Sequence, residues 1–312
     1  MTQQIRNIKV RREDNSMSQA SGSYYLPEPS KWPIIGSIGM FLMLFGFAGS
    51  LSGDTPVGEG NLTVMYIGMA VIIFMLFGWF GQVIRESESG TYNSQVDISF
   101  RMGMMWFIFS EVMFFAAFFG ALYYIRTLSV PWLGGADNNV ATNEFLYNGF
   151  VPSWPLNVMP DAAAGGFSVF KETIGAWGIP ALNTALLLTS GVTVTLAHWA
   201  LKKGNRGALV FWLFATVVLG FVFVGFQAYE YIHAYSIGLK LSSGVYGSTF
   251  FMLTGFHGLH VTIGAIMLLV MMFRSMKGHF TDENHFAFEA AAWYWHFVDV
   301  VWLGLFIFVY VL

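Results

Sequence analysis

Residues 290–312 read AAAWYWHFVDVVWLGLFIFVYVL, an apolar run that is long enough to cross a membrane as one helix. The run nevertheless contains two ionisable residues, His296 and Asp299. They are three positions apart, so they share one face of the helix. Because an ionisable pair in hydrocarbon costs several kcal/mol unless it is partnered, such residues commonly mark a function. The stretch therefore predicts a transmembrane helix with a polar face that matters to the protein.

The composition is that of an integral membrane protein. Of the 312 residues, 55% are hydrophobic, 18% are aromatic and only 11% are charged, whereas a soluble protein has about 25% charged residues. The net charge of −3 gives no reason to expect a nucleic-acid partner. The chain has no cysteine, which excludes disulfides, thiolate metal sites and thiol catalysis.

Seven apolar runs are long enough to span the hydrocarbon core, which requires about 20 residues. Their interiors are continuously apolar rather than alternating, which indicates helices and not the strands of a barrel. The predicted fold is therefore an all-α integral membrane protein with seven transmembrane helices. The runs are residues 32–51, 62–84, 102–125, 179–201, 208–231, 245–273 and 290–312.

The lysines and arginines predict the orientation of the spans. With the N-terminus inside, twelve of the 15 basic residues fall in inner segments, as the positive-inside rule requires. An even number of spans would destroy this asymmetry. The sequence therefore predicts an inner N-terminus and an outer C-terminus. The three basic residues on the outer side are Arg126, Lys171 and Lys240.

The polar stretches divide the chain into segments. Residues 1–31 are polar, lack the apolar segment of a secretory signal, and are expected to remain as a non-translocated tail. Residues 32–84 form a predicted two-helix bundle, and the polar residues 85–100 form an inner linker that is a candidate hinge. Residues 101–312 form a predicted five-helix bundle. Its long outer loop, residues 127–178, is interpreted as a lid over the outer face.

A second buried acid, Glu111, lies about ten residues into the third run and hence roughly 15 Å deep. A carboxyl group at that depth favours its neutral form, because hydrocarbon disfavours charge. One interpretation is a proton-handling site or a carboxyl group that reacts with carbodiimides. The other is a neutral acid that donates one hydrogen bond to Ser110 or to a neighbouring helix. The residues alone leave both interpretations open.

The histidines predict no metal site. His257 and His260 share one face of the sixth run, but a haem or a catalytic zinc needs further ligands at matching depth. We therefore predict hydrogen-bonded packing for this pair, and no metal ligand or catalytic residue in the chain. His198, near an inner boundary, is expected to be interfacial. Glu230 is expected to pair with His233, one turn further along the fifth run.

A polar cluster marks the inner boundary between the sixth and seventh runs. Basic residues at this depth anchor the helices and can bind lipid phosphate. Glu289 opens the last helix, where a carboxylate is favoured by the helix dipole. The aromatic residues Trp293 to Trp295 are interpreted as an interface belt. The basic and titratable residues of the cluster are Arg274, Lys277, His279 and His285.

Six strings, taken in order, resemble subunit III of the haem-copper cytochrome c oxidases. They run from about residue 80 to the C-terminus, and the last two are the most specific. The tail and the first span match only in general character. The strings are VIRES at 83–87, FRMGMMWFIFSEVMFF at 100–115, IPALNTALLLTSGVTVTLAHW at 179–199, GFQAYEY at 225–231, GSTFFMLTGFHGLHVTIG at 247–264 and HFAFEAAAWYWHFVDVVWL at 285–303.

The resemblance implies a two-helix plus five-helix arrangement with a lipid-filled cleft. It implies an accessory subunit that packs against subunit I, meets subunit II and other subunits, and binds structural phospholipids. Haem and copper would reside in partner subunits. Glu111 falls on the family's buried, carbodiimide-reactive carboxyl. The positions implied to line the lipid cleft or subunit contacts are Glu86, Arg274, His279, His285, Glu289, Trp293, His296 and Asp299.

The chain departs from the family's pattern in two places. The family often has a histidine a few residues after the glutamate of VIRE, where this chain has Tyr92 and Asn93. One lipid contact of the family is therefore not implied here. The outer loop at 127–178 is longer than in compact members, which makes it a candidate contact for another subunit.

Three functions are compatible with these residues. The first is a non-redox accessory subunit of a proton-pumping oxidase that passes electrons from cytochrome c to oxygen, stabilises subunit I and its proton-uptake side, and resides in the bacterial plasma membrane rather than the mitochondrial inner membrane. The second is the equivalent subunit of a quinol oxidase or nitric oxide reductase. The third is a free-standing proton-coupled transporter that uses Glu111, His296 and Asp299, although no internal repeat supports it.

Overall fold

The computed structural model describes residues 29–52, 62–160 and 170–312, and these residues form helices and connecting turns without strands. Seven of the helices are long and apolar enough to cross a membrane. The prediction of an all-α protein with seven spanning helices is therefore confirmed. Most of the predicted tail, residues 1–28, lies outside the described residues.

Each spanning helix covers one of the predicted apolar runs. Most helices extend a few residues beyond the run, because polar residues outside the hydrocarbon can continue the backbone hydrogen bonds of the helix. The bounds are α1 Trp32–Ser52, α2 Leu62–Glu88, α3 Ser94–Tyr124, α4 Val130–Leu133, α5 Ile179–Lys202, α6 Arg206–Ser236, α7 Val245–Lys277 and α8 Phe286–Leu305, with a π-helical turn Phe306–Val311 completing the last span.

The predicted inner linker, residues 85–100, is mostly helical in the structure. Helix α2 continues through its polar end to Glu88, and α3 already begins at Ser94. The side chain of Asn93 accepts a hydrogen bond from the Val96 N–H at 3.0 Å, as an N-cap residue does. Only residues 89–93 therefore lie between the two helices.

The first compact unit, Met1–Phe100, contains α1 and α2. Glycines bring the two backbones together, because a Cβ at Gly46 would collide with Met65 and a Cβ at Gly68 would collide with the backbone of Met43. Small residues allow such close approach of membrane helices. Trp32 adds a polar tie, since its Nε1–H donates to Gln82 Oε1 at 2.7 Å.

The second compact unit, Arg101–Leu312, contains a ring of four helices. Helix α5 packs against α6 and α8, and α7 packs against the same two helices. Helix α3 adds a row of phenylalanines to this ring. Phe114 lies 5.0 Å from the ring of Phe256 on α7, and Phe115 lies 6.1 Å from Phe297 on α8. Helix α3 is thereby joined to the ring through its aromatic side chains.

The predicted outer loop, residues 127–178, is partly helical and partly packed on the bundle. The helix of the third span continues through a π-helical turn and α4 as far as Leu133. Beyond residues 161–169, which are not described, Phe170 stacks on Tyr246 at 5.5 Å and the Lys171 N–H donates to Ile237 O at 3.0 Å. The described end of the loop therefore packs against the C-terminal end of α6 and the N-terminal end of α7.

Candidate functional site: paired titratable residues in the helix bundle

The acid of the third span is paired with a histidine of the sixth. Glu111 Oε2 lies 2.8 Å from His260 Nε2, while His260 Nδ1 lies 2.6 Å from the carbonyl oxygen of Phe256. Since a carbonyl can only accept, Nδ1 carries a proton and donates it. The contact between Nε2 and the carboxyl group then requires one more proton between the two side chains. Glu111 and His260 therefore hold one proton jointly.

This pairing decides between the two partners proposed for Glu111 from the sequence. The hydroxyl of Ser110 donates to Phe107 O at 2.7 Å and is not the partner of the acid. The partner of Glu111 is instead His260, on the neighbouring helix α7. The adjacent histidine of the same helix face, His257, places its Nε2 at 3.2 Å from Val298 O and so joins α7 to α8.

A second cluster of titratable residues joins three helices, with Glu289 at the start of α8, His198 on α5 and Arg101 on α3. Glu289 Oε1 lies 3.1 Å from His285 Nε2 and 3.5 Å from His198 Nε2. Its other oxygen, Oε2, accepts a hydrogen bond from Arg101 Nη1 at 2.5 Å. His285 Nδ1 carries a proton and donates it to Thr281 O at 3.0 Å, because a carbonyl oxygen can only accept. Among the described residues, only His198, His285 and Glu289 lie close enough together to hold a metal ion.

His296 and Asp299 share one face of α8, as their spacing predicted. His296 Nδ1 lies 3.8 Å from Asp299 Oδ2. The histidine side chain is 47% exposed, whereas the aspartate side chain is only 9% exposed. Gly191 of α5 provides the space for the carboxyl group, since a Cβ there would lie 2.5 Å from Asp299 Oδ2. The pair therefore sits at the edge of the α5–α8 contact.

In the first unit, Glu86 is held by two side chains. Gln82 Nε2 donates to its Oε1 at 2.7 Å, and Tyr92 OH donates to its Oε2 at 2.8 Å. Tyr92 occupies the region where the resemblance led us to look for a histidine. This chain therefore fills that region with a phenol that donates to the glutamate.

The basic residues at the C-terminal end of α7 lie beside the start of α6. The guanidinium of Arg274 lies 4.6 Å from the ring of Phe280, and the arginine is buried. Helix α7 ends at Lys277 and is capped by Gly278, which has a left-handed backbone with φ of 79°. A Cβ at Gly278 would lie 2.7 Å from Nη2 of Arg206, so this second guanidinium rests on the glycine. His279 follows immediately and is half-buried.

The aromatic residues of α8 do not form the interface belt that we expected. Trp295 is fully buried and its Nε1–H donates to Ser190 Oγ at 2.9 Å, while Tyr294 is also buried. Only Trp293, which lies 6.0 Å from the ring of Phe286, remains partly exposed. The belt interpretation was wrong for both residues. Trp295 packs on glycines of α6 and α7, and Tyr294 stacks on Phe107 of α3 and on His260 of α7.

Glu230 is hydrogen-bonded to residues other than His233, the partner that we expected. Its Oε1 accepts hydrogen bonds from Tyr310 OH at 2.6 Å and from Gln227 Nε2 at 3.2 Å. The spacing of Gln227 and Glu230, three residues apart on one helix, could have shown part of this network. Tyr310 was not predictable because it lies 80 residues further along the chain.

Together these features define a class of protein. It is a helical membrane protein with several spans, in which titratable side chains of different helices form hydrogen bonds and ion pairs. The family model for cytochrome c oxidase subunit III matches residues 22–144 and 157–312. The chain therefore belongs to the cytochrome c oxidase subunit III family, a component of the respiratory electron-transport complex of that name.

Curated relatives agree with this family over nearly their full length. The chain is 42% identical to cytochrome c oxidase subunit 3 of Marchantia polymorpha over 288 residues, which cover 92% of this chain and 95% of the relative. It is 41% identical to cytochrome c oxidase subunit 3 of Felis catus and 39% identical to that of Squalus acanthias. Each of these two alignments covers 94% of this chain and 98% of the relative.

Proposed function

We propose that the chain is the non-redox accessory subunit of a proton-pumping oxidase that passes electrons from cytochrome c to oxygen. The observation that carries the proposal is the match to relatives named cytochrome c oxidase subunit 3 along almost their whole length. Electrons would pass through haem and copper of partner subunits, and this chain would stabilise subunit I on its proton-uptake side.

The Glu111–His260 pair supports a structural role for the carboxyl group in this subunit. The pair joins α3, which meets the ring of four helices mainly through aromatic side chains, to α7. A proton held jointly by two side chains keeps the pair close to neutrality, which suits hydrocarbon. We propose that Glu111 positions α3 so that its exposed side can contact subunit I.

The exposed side of α3 is rich in large apolar side chains, as expected for a surface that another subunit or lipid covers. Large apolar side chains are exposed at three- and four-residue intervals, which places them on one side of the helix. Methionine and tryptophan adapt well to the surface of another protein. The exposed residues include Met102, Met105, Trp106, Phe109 and Met113.

Phospholipid binding is proposed at the inner end of α7. The guanidinium of Arg206 lies against Gly278, and that of Arg274 lies against the ring of Phe280 two residues further on. Lys277 and His279 flank the glycine in the chain. Guanidinium groups bind phosphate through paired hydrogen bonds. Trp293, Glu86, His296 and Asp299 are proposed to contact lipid tails, lipid headgroups or partner subunits. His285 and Glu289 belong to the separate cluster with His198.

The proposed location is the bacterial plasma membrane, with the N-terminus in the cytoplasm and the C-terminus in the periplasm. The distribution of lysine and arginine supports this orientation. Fusing a reporter that is active only in the periplasm to each terminus tests it. The C-terminal fusion should be active and the N-terminal fusion inactive, and the reverse result would contradict the orientation.

The accessory role is tested by sustained turnover of the oxidase complex with and without this chain. We expect the depleted complex to start at a comparable rate of oxygen consumption with reduced cytochrome c, and then to lose activity faster during turnover. Adding the purified chain back should restore the lifetime. An equal lifetime of the two complexes would refute the stabilising role. Activity with a quinol in place of cytochrome c would instead indicate the quinol-oxidase alternative.

The lipid site is tested by the phospholipid content of the purified complex. Arg206→Gln removes the guanidinium that rests on Gly278, and we expect it to lower the number of retained phospholipids. Lys203→Gln is the matched control, because it removes an exposed charge three residues earlier at the same end of the bundle. Equal lipid content in both variants would contradict the proposed site.

A further inference from the structure

Three potential metal ligands converge between α5 and the start of α8. His198 Nε2 lies 3.4 Å from His285 Nε2 and 3.5 Å from Glu289 Oε1, and the last two atoms are 3.1 Å apart. His198 and His285 are 87 residues apart in the chain, so their contact could not be predicted from local spacing in the sequence.

The triangle formed by these atoms matches one face of a zinc coordination tetrahedron. Zinc binds histidine nitrogen and carboxylate oxygen at about 2.0–2.2 Å, so neighbouring ligand atoms of a tetrahedral site lie about 3.3–3.5 Å apart. The three observed separations are 3.1, 3.4 and 3.5 Å. An ion slightly above the triangle would reach all three atoms at normal bond lengths without a change of backbone, and water would complete the tetrahedron.

The surrounding hydrogen bonds orient two of the ligand atoms. Nδ1 of His285 donates to Thr281 O at 3.0 Å, so in the neutral ring the lone pair lies on Nε2, which faces the triangle. Arg101 holds Oε2 of Glu289 and leaves Oε1 directed to the histidines. Hydrogen bonds of this kind to the far atoms of histidine and carboxylate ligands are the usual second shell of zinc sites.

The electrostatics also favour a cation within the triangle. A carboxylate oxygen and an imidazole lone pair 3.1 Å apart repel each other unless a proton or a metal ion lies between them. The ligand side chains are 23%, 7% and 13% exposed for His198, His285 and Glu289, which leaves a route for entry from one side. Arg101 and the nearby Lys202 oppose a divalent cation, so binding should be weaker than in a structural zinc site with four protein ligands.

We propose that His198, His285 and Glu289 form a binding site for one Zn²⁺ ion that ties the inner end of α5 to the start of α8. The site has three protein ligands and an open fourth position, so the ion would bind reversibly rather than being required for folding. This function is independent of the accessory role proposed above. It would make the contact between the two helices sensitive to the zinc concentration.

The proposal is tested by zinc binding to the purified oxidase complex that contains this chain. Equilibrium dialysis with radioactive Zn²⁺ should show one more bound ion per complex for the natural chain than for His198→Gln or His285→Gln. Loss of a ligand should weaken this site by at least about ten-fold. His279→Gln is the matched control, because this half-buried histidine of the same inner region lies outside the triangle and should leave the binding curve unchanged.

A second measurement uses only the natural complex, so it tests the site even if a variant fails to assemble. Histidine-selective acylation of the natural complex, read by mass spectrometry, should be slowed by zinc at His198 and at His285. The exposure of His279 and His233 to the reagent should not change. Identical binding curves for the natural complex and both variants, or acylation of His198 that zinc does not slow, would overturn the proposal and leave a cluster that holds only a proton.

Discussion

The indole of Trp295 is enclosed by two glycines, which makes the ring of four helices sensitive to a single added methyl group. A Cβ at Gly264 of α7 would lie 2.9 Å from Trp295 Cε3, and a Cβ at Gly220 of α6 would lie 2.7 Å from Cη2. The indole itself is fully buried and donates to Ser190 at 2.9 Å, so it has little freedom to move. We predict that Gly264→Ala and Gly220→Ala each destabilise the bundle.

The magnitude follows from the space that the methyl group lacks. Ordinary contact begins at 3.4 Å, so the indole or a helix must move by about 0.5 Å at Gly264 and about 0.7 Å at Gly220. Overpacking of a dense core costs roughly 1–3 kcal/mol. For a unit of this size, each kcal/mol lowers the unfolding temperature by about 2–4 °C. We therefore expect each variant to unfold roughly 5 °C below the natural protein.

The assay is thermal unfolding of this chain within the detergent-solubilised complex, followed by the temperature at which half of the chain aggregates. Gly258→Ala on α7 and Gly225→Ala on α6 are matched controls, because a Cβ at either position meets no atom within 4 Å. These controls should unfold at or slightly above the natural temperature, since alanine favours the helix. If Gly264→Ala and Gly220→Ala behave like their controls, Trp295 is not packed as described.

Three further predictions concern the buried polar contacts. Glu111→Gln should change the unfolding temperature little, because its amide can donate to His260 Nε2, whereas His260→Ala leaves the acid without this partner and should cost about 1–3 kcal/mol. Tyr310→Phe removes the 2.6 Å donor to Glu230 and should cost a similar amount in the same thermal assay. Gly191→Ala places a methyl group 2.5 Å from the Asp299 carboxyl group and should lower the amount of chain that copurifies with the complex.

Each of these predictions has a control in the same chain. Tyr229→Phe removes a hydroxyl group from a side chain that is 61% exposed, and it should leave the unfolding temperature unchanged. Gly225→Ala serves again as the control for Gly191→Ala. Equal effects of Tyr310→Phe and Tyr229→Phe would show that the bond to Glu230 adds nothing to stability. Equal effects of Glu111→Gln and His260→Ala would show that the two side chains do not act as a pair.

The spans were predictable because insertion depends on the summed hydrophobicity of one continuous segment. The run at 62–84 and helix α2 start at the same residue, and the run at 245–273 and helix α7 also do. The polar ends were harder to place. Residues 85–88 and 94–100 read as a linker, yet they are helical, because water or headgroups outside the hydrocarbon tolerate polar side chains on a helix equally well.

The polar contacts were only partly predictable, and the reason is distance along the chain. His296 and Asp299 share a helix face because three residues separate them, and that geometry is local. Glu230 shows the limit of local reasoning. The nearby His233 was the expected partner, but the structure places Tyr310 at 2.6 Å instead, because the rotation of α6 turns the carboxyl group toward the last span.

The amino-acid sequence alone determined the number of spanning helices and the segments that form them, since partition into a membrane is a property of each segment taken singly. The tertiary structure decided which residues meet. Glu111 finds His260 at a separation of 149 residues, and Arg101 finds Glu289 at a separation of 188. Such pairs depend on which helices are neighbours and how each is rotated about its axis, and these are set by the packing of Trp295 against glycines and of α3 through its phenylalanines.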